Sequence, residues 1–479
     1  MISERTQTQL DRKILEIPGT ELIIATFLAG LLTLYLNSTT TLNLPNASFL
    51  TVLAAALVMW VFRLVPEYLP SLLILSAALF LHIAPEHIIL SGFSSNSFFI
   101  AVSVFAVGAL ITKSRLFYRL SLVLLIYLPS KQSILQKFLF LFGALITPIM
   151  SVQSSRVALM APLLDDILES STIRPKSDTA NALANAAFNG CILLSTVFLT
   201  GKSSNFIVFG LLSEQDQWQG GWLHWLWAAS FPGFLLVSIF FMMQSLLFKP
   251  QKKLTMDNGK LKKELNNLGT LSFDERISLI SLTLFVGGSI LSAWKNTSIL
   301  WTCAAIFALI WVSGALKTNE LRTKINWNFL FYFGAIIGIM RVLQNSELEY
   351  WLIQHVQWLN QLAEMSSLYF IVIIYIISWV AGLILGTMIA PAILFTLIIP
   401  IANQSAINNW VIAFVILMAT EAWIFPYQSS YFLCFEELLK PNNNFLLNPL
   451  LKLNAWFSLL KLGIIVASIP FWHFFAILI

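Results

Sequence analysis

Charge is scarce in this chain: 11% of its 479 residues are Asp, Glu, Lys or Arg, against about 25% in a soluble domain. Hydrophobic residues make up 58%, and the mean hydropathy is +0.80. No polar stretch long enough for a soluble domain separates the apolar segments. Cys191, Cys303 and Cys434 are scattered through apolar segments, which excludes a disulfide framework or a metal knuckle. His82, His87, His224, His355 and His473 are far apart and no paired carboxylates appear, so an embedded enzyme finds no obvious centre. The first 17 residues are polar and charged and lack the apolar core and cleavage site of a signal peptide.

What the chain has is apolar length. A helix needs about 20 apolar residues to cross a bilayer. Segments near that length fall at 18–36, 48–65, 69–84, 97–112, 178–212, 224–247, 277–294, 298–316, 327–343, 409–437 and 453–478. Two further stretches, 134–170 and 368–406, are interrupted midway by polar or helix-breaking residues. They read as re-entrant hairpins, whose non-helical tips survive only when buried in protein or facing water. The expected fold is an all-α polytopic membrane protein with about 11 transmembrane helices and two re-entrant hairpins.

Basic residues favour cytoplasmic loops. Lys249, Lys252, Lys253, Lys260, Lys262 and Lys263 put the 249–276 loop inside, and Arg5, Arg12 and Lys13 do the same for the N-terminus. Segments 37–47 and 85–96 carry no Lys or Arg and fit the outside. Lys113, Arg115, Arg119, Lys317, Arg322 and Lys324 then fall inside, and an odd number of spans leaves the C-terminus outside. Ser114-Arg115-Leu116-Phe117-Tyr118-Arg119-Leu120 returns as Ser346-Glu347-Leu348-Glu349-Tyr350-Trp351-Leu352, each after a Gly-containing apolar helix. Chance competes as an explanation, because apolar segments share a small alphabet. The two preceding helices nevertheless cross in opposite senses, as an inverted repeat requires. The expected organisation is an N-terminal segment with the first span (1–47), repeat one (48–248), a cytoplasmic linker (249–276) and repeat two (277–479). Secondary transporters are built from such repeats, with the substrate held where the halves meet.

Polar groups at membrane depth are costly, so they line cavities or join helices. The first hairpin turns over Pro148 to Arg156, where Gln153, Ser154 and Ser155 offer oxygen ligands. The helix after them aims its positive end at the tip. Arg156 is either an anion contact at that helix terminus or a charge that snorkels or pairs structurally. Asn181, Asn185 and Asn189 recur at spacing four on one helical face, a pattern that more often joins helices than binds ligands. Gly201-Lys202-Ser203-Ser204-Asn205, inside an apolar segment, looks like an unwound helix. Its freed carbonyls suit a cation and its half-helix N-terminus an anion. The second hairpin turns over Gly386 to Ala392, with Thr387 and backbone groups for polar chemistry. The later span breaks at Phe425-Pro426-Tyr427-Gln428-Ser429-Ser430-Tyr431. Glu421 precedes that break as a structural partner for a buried base, a proton carrier or an interfacial acid.

The order of these parts resembles the divalent-anion:sodium symporter family of the ion-transporter superfamily, from about residue 20 to the end. Members of that family carry Ser-Asn-Thr at each hairpin tip, a little before a Pro. Counting back from Pro162 and Pro400 puts Val152-Gln153-Ser154 and Ala390-Pro391-Ala392 at those places. Gly201 to Asn205 matches the family's Gly-Thr-x-x-Asn break with Lys202 in place of Thr, and Pro426 to Tyr431 looks like the Pro-rich counterpart. The resemblance implies a scaffold and a mobile transport domain, usually dimeric, working as an elevator. It also implies a first sodium site at Gln153, Ser154, Gly201 and Asn205, and a weakened second one at Ala392 and nearby backbone. Both tip motifs are eroded here, and two positive side chains have appeared.

The sequence therefore reads as a secondary active transporter for a dicarboxylate or inorganic oxyanion at a plasma membrane. It is not an enzyme, and it needs no cofactor beyond a coupling ion, sodium or a proton. Its expected partners are the small anion, the bilayer and a second copy of itself, with no nucleic acid. Substrate contacts are expected from Gln153, Ser154, Ser155, Arg156, Lys202, Ser203, Ser204, Asn205, Thr387, Pro426, Gln428, Ser429 and Ser430. A cation/proton antiporter is the alternative, opposed by two intramembrane bases; a membrane-embedded enzyme or an assembly protein fits less. A fixed cation can stand in for a bound one, so Arg156 and Lys202 should each have a partner, the anion or an acid such as Glu421. The protein should then need fewer sodium ions than typical relatives.

Overall fold

Backbone polar groups in an apolar segment find their surest partners in the same segment, so the apolar runs fold locally as helices. The computed structural model describes residues 44–213, 221–248, 255–295, 297–355, 357–402, 407–439, 445–475 and 477. The expected first span at 18–36 and residues 249–254 of the expected linker lie outside them. The chain runs through α1 (Leu44–Val61), α2 (Tyr68–Phe80), the single turn α3 (Glu86–Ile89), α4 (Asn96–Ser114) and α5 (Leu116–Tyr127). It continues with α6 (Gln132–Ile146), α7 (Gln153–Glu169), α8 (Asp178–Ile192), α9 (Ser203–Leu211), α10 (Trp222–Ala228) and α11 (Ser230–Leu247). Next come α12 (Asn258–Asn267), α13 (Phe273–Lys295), α14 (Leu300–Val312), α15 (Thr318–Lys324), α16 (Trp327–Gln344), α17 (Leu348–His355) and α18 (Gln357–Met365). The described chain closes with α19 (Ser367–Ala402), α20 (Asn409–Thr420), α21 (Ser430–Leu439) and α22 (Leu447–Phe474). Among the described residues the β content is one isolated bridge, Ser171 to Met256. Six helices there (α4, α11, α13, α16, α19 and α22) are long and apolar enough to cross a membrane. The chain is an all-α polytopic membrane protein.

Two apolar runs in which the sequence announces a break are divided, and a third, 224–247, expected as one span, is parted at Ala229 between α10 and α11. Residues 178–212 form α8, a 3-10 turn at Leu199–Gly201, and α9. Residues 409–437 form α20, a 3-10 turn at Pro426–Gln428, and the start of α21. The second break opens at Glu421, earlier than the sequence indicates, because lysine ammonium groups take the Leu417 and Glu421 carbonyls at the end of α20. In the first hairpin, α6 and α7 are separated by a non-helical tip at 147–152. In the second, α19 is two helices that abut at a kink, where Gly386 has φ 82° and ψ 174°, a region essentially restricted to glycine. The break is at Gly386, the first residue of the expected turn over Gly386 to Ala392, while Ala390 to Ala392, where counting from Pro400 puts the tip motif, are helical. Pro391 deletes only one backbone hydrogen bond just beyond it.

Packing wraps these broken elements. α8 lies against both α6 and α7, α21 against α7, α9 against α19 and α16, and α19 along α20. The α6–α8 crossing is backbone to backbone at Gly143 and Gly190, where a Cβ on Gly190 would come 2.5 Å from the Phe140 carbonyl oxygen. Nearly every residue of α8, α9 and α20 is buried; α20 is apolar nearly all round, as expected of a buried helix, whereas α8 and α9 bury asparagines and serines as well. On the periphery, Phe80, Trp294, Val312 and Phe474 are at least 80% exposed, as suits lipid-facing side chains. One end of the bundle is tied by charge. Lys113 pairs with Glu320 at 2.9 Å and Asp274 at 3.2 Å, and Arg119 pairs with Glu275 at 2.7 Å. These pairs put the ends of α4, α5, α13 and α15 on one face, as the loop charges require.

Candidate functional site

A polar group buried in an apolar bundle must find a partner there. Most of the buried polar groups around the two breaks find each other. Arg156 stands in the first turn of α7 and is fully buried. Its Nε donates to the Cys191 carbonyl at 2.8 Å, and its Nη2 to Ser195 Oγ at 2.7 Å. Its Nη1 donates to the Met150 carbonyl at 2.5 Å, the Thr147 carbonyl at 3.4 Å and the Gly201 carbonyl. The guanidinium thus faces protein oxygens from the hairpin tip, the end of α8 and the first break.

Glu421, the first residue beyond α20, is the second hub. Its carboxylate accepts from Gln153 Nε2 at 2.6 Å, Thr196 Oγ1 at 2.8 Å and Lys202 Nζ at 3.2 Å. Lys202 also donates to the Leu417 carbonyl at 2.9 Å, and Lys461 of α22 donates to the Glu421 carbonyl at 3.1 Å. Gln153 reaches Ser195 Oγ at 3.4 Å, which joins the Arg156 and Glu421 clusters into one network. The network ties the first hairpin tip, both breaks and the last helix. Lys202 and Glu421 are both at most 5% exposed, so their attraction is little screened.

The other expected residues divide. Ser203, Ser204 and Asn205 are buried at the start of α9 beside Lys202, and the amide of Asn205 donates to the Ser195 and Phe198 carbonyls at 2.9 and 2.8 Å. Ser154 and Ser155 are half-buried in the first turn of α7. In the second break, Gln428 Oε1 accepts from the Ile424 and Phe425 backbone N–H groups, and Ser429 caps α21 through Phe432. These contacts are local. Pro426 opens the 3-10 turn and Ser430 is exposed. Thr387 is half-buried beside Gly386, and among the described residues none of its hydrogen bonds reaches the network. Ala392 lies inside α19 with its carbonyl accepting from Thr396 Oγ1 at 2.7 Å, so it is helical where a free ligand was expected. Asn185 and Asn189 donate to the carbonyls of Asn181 and Asn185, and Asn181 Oδ1 holds the Leu446 N–H. The asparagine stripe is thus bonded chiefly to backbone, although Asn189 lines a small void with Glu421, Asn454 and Lys461.

Sequence reasoning missed Ser195, Thr196 and Lys461. Lys461 had a readable signal, since a lysine inside the expected span 453–478 is a functional candidate by its depth alone. Ser195 and Thr196 had none beyond their place between α8 and the 3-10 turn. A cleft of about 700 Å³ reaches the first break from one side and is lined by Asn96, Thr200, Trp222, His224, Ser289 and Thr297, among others. Thr200 joins the two regions: its hydroxyl donates to the Pro148 carbonyl and accepts from Trp222 Nε1 at 3.2 Å. Among the described residues no group of three His, Cys, Asp or Glu side chains is placed to hold a metal ion.

Comparison with known proteins gives a family model described as the sodium:sulfate symporter transmembrane region, matching residues 20–436. An uncharacterized transporter of Haemophilus influenzae is 26% identical over 159 residues, 33% of each chain. Dicarboxylate transporter 1, chloroplastic, of Arabidopsis thaliana is 27% identical over 171 residues, 35% of this chain and 31% of that one. The putative malate transporter YflS of Bacillus subtilis is 22% identical over 269 residues, 55% of this chain and 56% of that one. The chain thus spans about a third of the length of the first two and about half of the third.

Proposed function

Since this chain belongs to the sodium:sulfate symporter family, we propose that it is a secondary active transporter whose cargo is a small dianion, a dicarboxylate or an inorganic oxyanion. One observation carries the reading. The network buries three cations, Arg156, Lys202 and Lys461, with Glu421 the only carboxylate bonded to it among the described residues. Two positive charges are left without a counter-ion. Uncompensated charge in a dry interior is expensive, and a bound dianion cancels it. The names of the relatives, which include dicarboxylate and malate transporters, support the same cargo.

The anion is held at the start of α9 and the first turn of α7, where Ser154, Ser155, Lys202, Ser203 and Ser204 surround two helix N-termini. Such termini favour negative charge. It enters by the cleft at Thr200. Residues 48–248 and 277–479 act as inverted halves, each with one hairpin and one broken span. The hairpins and breaks move as an elevator against the scaffold, in a homodimer in the plasma membrane with its N-terminus inside. Movement is coupled to a cation, sodium or a proton. An antiporter for cations is disfavoured, because the same two excess charges repel its cargo.

Purified protein in liposomes tests the reading with labelled succinate, malate, sulfate and phosphate. Accumulation of at least one of these, competed by unlabelled dianion and not by monoanion, is expected. Cation-for-proton exchange with no dianion uptake overturns it.

A further inference from the structure

Arg156 is in the wrong place for a cation. It sits in the first turn of α7, where the helix end is already positive, and none of it is exposed. A buried arginine usually meets a carboxylate. This one meets five neutral oxygens: the carbonyls of Thr147, Met150, Cys191 and Gly201, and Ser195 Oγ. Glu421, the acid of the network, is engaged by Lys202, Gln153 and Thr196. The oxygens come from three separate pieces of backbone that leave the helix at one place: the tip between α6 and α7, the end of α8, and the 3-10 turn before α9. Next to them Asn205 Oδ1 is buried without a hydrogen-bond partner among the described residues, while its amide is held by the Ser195 and Phe198 carbonyls. Unwound backbone carbonyls gathered at a broken helix are the chemistry that binds a monovalent metal cation in membrane transporters.

We infer that the Arg156 guanidinium is a tethered cation occupying an oxygen cage that would otherwise take a sodium ion. The chain thus carries here, permanently, a charge of the kind that a family described as sodium symporters takes from solution. Two consequences follow. The first hairpin tip stays locked to the first break whether or not sodium is present. Any coupling ion this protein uses binds elsewhere. The second consequence rests on the transporter reading above; the cage itself does not, and its test measures ion binding apart from transport.

The test replaces the tethered charge by a free one. Arg156→Thr empties the cage and returns one hydroxyl oxygen to it. Its melting temperature in detergent should be well below that of the native protein in choline chloride. Exchange into sodium chloride at equal ionic strength should raise it saturably by about 2–4 °C, as for a ligand near tenfold above its dissociation constant. The native protein, and Arg156→Lys, which keeps a charge in the cage, should show no sodium-specific rise that Ser195→Ala removes; a rise that survives Ser195→Ala reports a sodium ion bound elsewhere and leaves the cage reading standing. Identical melting of Arg156→Thr in the two salts overturns the inference, and so does failure of this variant to fold when made and purified in sodium. A milder variant gives an independent arm. A saturable sodium-specific rise in the native protein that Ser195→Ala abolishes would put a metal ion in the cage beside the guanidinium, and the inference would fall. Dianion uptake by the native protein is read separately, so loss of the cage reading leaves the transport reading standing, and the reverse.

Discussion

Replacing Glu421 by glutamine probes the network at its hub. The carboxylate accepts from Gln153 at 2.6 Å, Thr196 at 2.8 Å and Lys202 at 3.2 Å, and lies almost entirely out of solvent. Glutamine keeps the shape and removes the charge. Its amide oxygen can keep Thr196 and Lys202, which share one carboxylate oxygen, while its NH2 group is turned on Gln153. Breaking a buried ion pair by removing one partner costs about 3–5 kcal/mol; the retained acceptor places Glu421→Gln near the lower end, about 3 kcal/mol. With about 2–4 °C per kcal/mol for a mid-sized domain, and less for a longer chain, melting should fall by roughly 5–10 °C. Lys202→Met alone strands the carboxylate and should cost a similar amount. The double variant removes both stranded charges and should recover much of the loss, with a coupling of about 2–3 kcal/mol, the upper range for residues in contact. Thermal unfolding followed by tryptophan fluorescence, run on all four proteins, reads the cycle. A single-variant shift below about 1 °C, or strict additivity in the double variant, refutes the network as described.

Lys461→Met removes one of the three buried cations and its bond to the Glu421 carbonyl. Loss of a charged hydrogen-bonding group is worth about 1.5–3 kcal/mol, so melting should fall by roughly 2–6 °C, and dianion uptake in liposomes should weaken because one of the two excess charges is gone. Gly190→Val pushes a branched side chain into the Phe140 backbone at the α6–α8 crossing. It should cost about 1–3 kcal/mol or more, read as reduced yield of monodisperse protein, with Gly463→Val, where an added Cβ meets nothing within 4 Å, as a comparison. At the charged end of the bundle, burial opposes ionisation of Glu320, but the Lys317 N–H and the Lys113 and Lys324 ammonium groups outweigh it and hold the carboxyl at about 2. A depressed carboxyl stabilises the fold above its ordinary value of 4.5 and loses that contribution as pH falls toward about 2. Glu320→Gln should therefore flatten the dependence of melting temperature on pH below 4.5, with little change in that slope at neutral pH.

The helices were legible in the sequence because their stabilising bonds are local: in an apolar medium each backbone group is satisfied within its own segment. Length and composition were enough to mark α4, α11, α13, α16 and α22, and the run Phe425 to Tyr431 announced the second break; Gly201 and Lys202 only close the first, which opens at Leu193, and Ser203 to Asn205 are already helical. The order of those parts was enough to suggest the family. The partners of the buried charges were not legible, because they are set by segments far apart in the chain. Arg156 could be read as an anion contact or a structural charge; only the approach of the α6–α7 tip to the end of α8 and the 3-10 turn gathers the carbonyls that surround it. Glu421 could be read three ways until packing brought Lys202 across 219 positions of sequence to its carboxylate. The second turn was read over Gly386 to Ala392, with the tip motif counted from Pro400 at Ala390 to Ala392; the chain breaks at Gly386, where a left-handed backbone needs no Cβ to be accommodated, and is helical by Ala390. Periodicity and composition report what a segment does with its own backbone. Which charge meets which oxygen is decided by the crossing of helices, and Gly143 against Gly190 brings α6 and α8 close enough to decide it here.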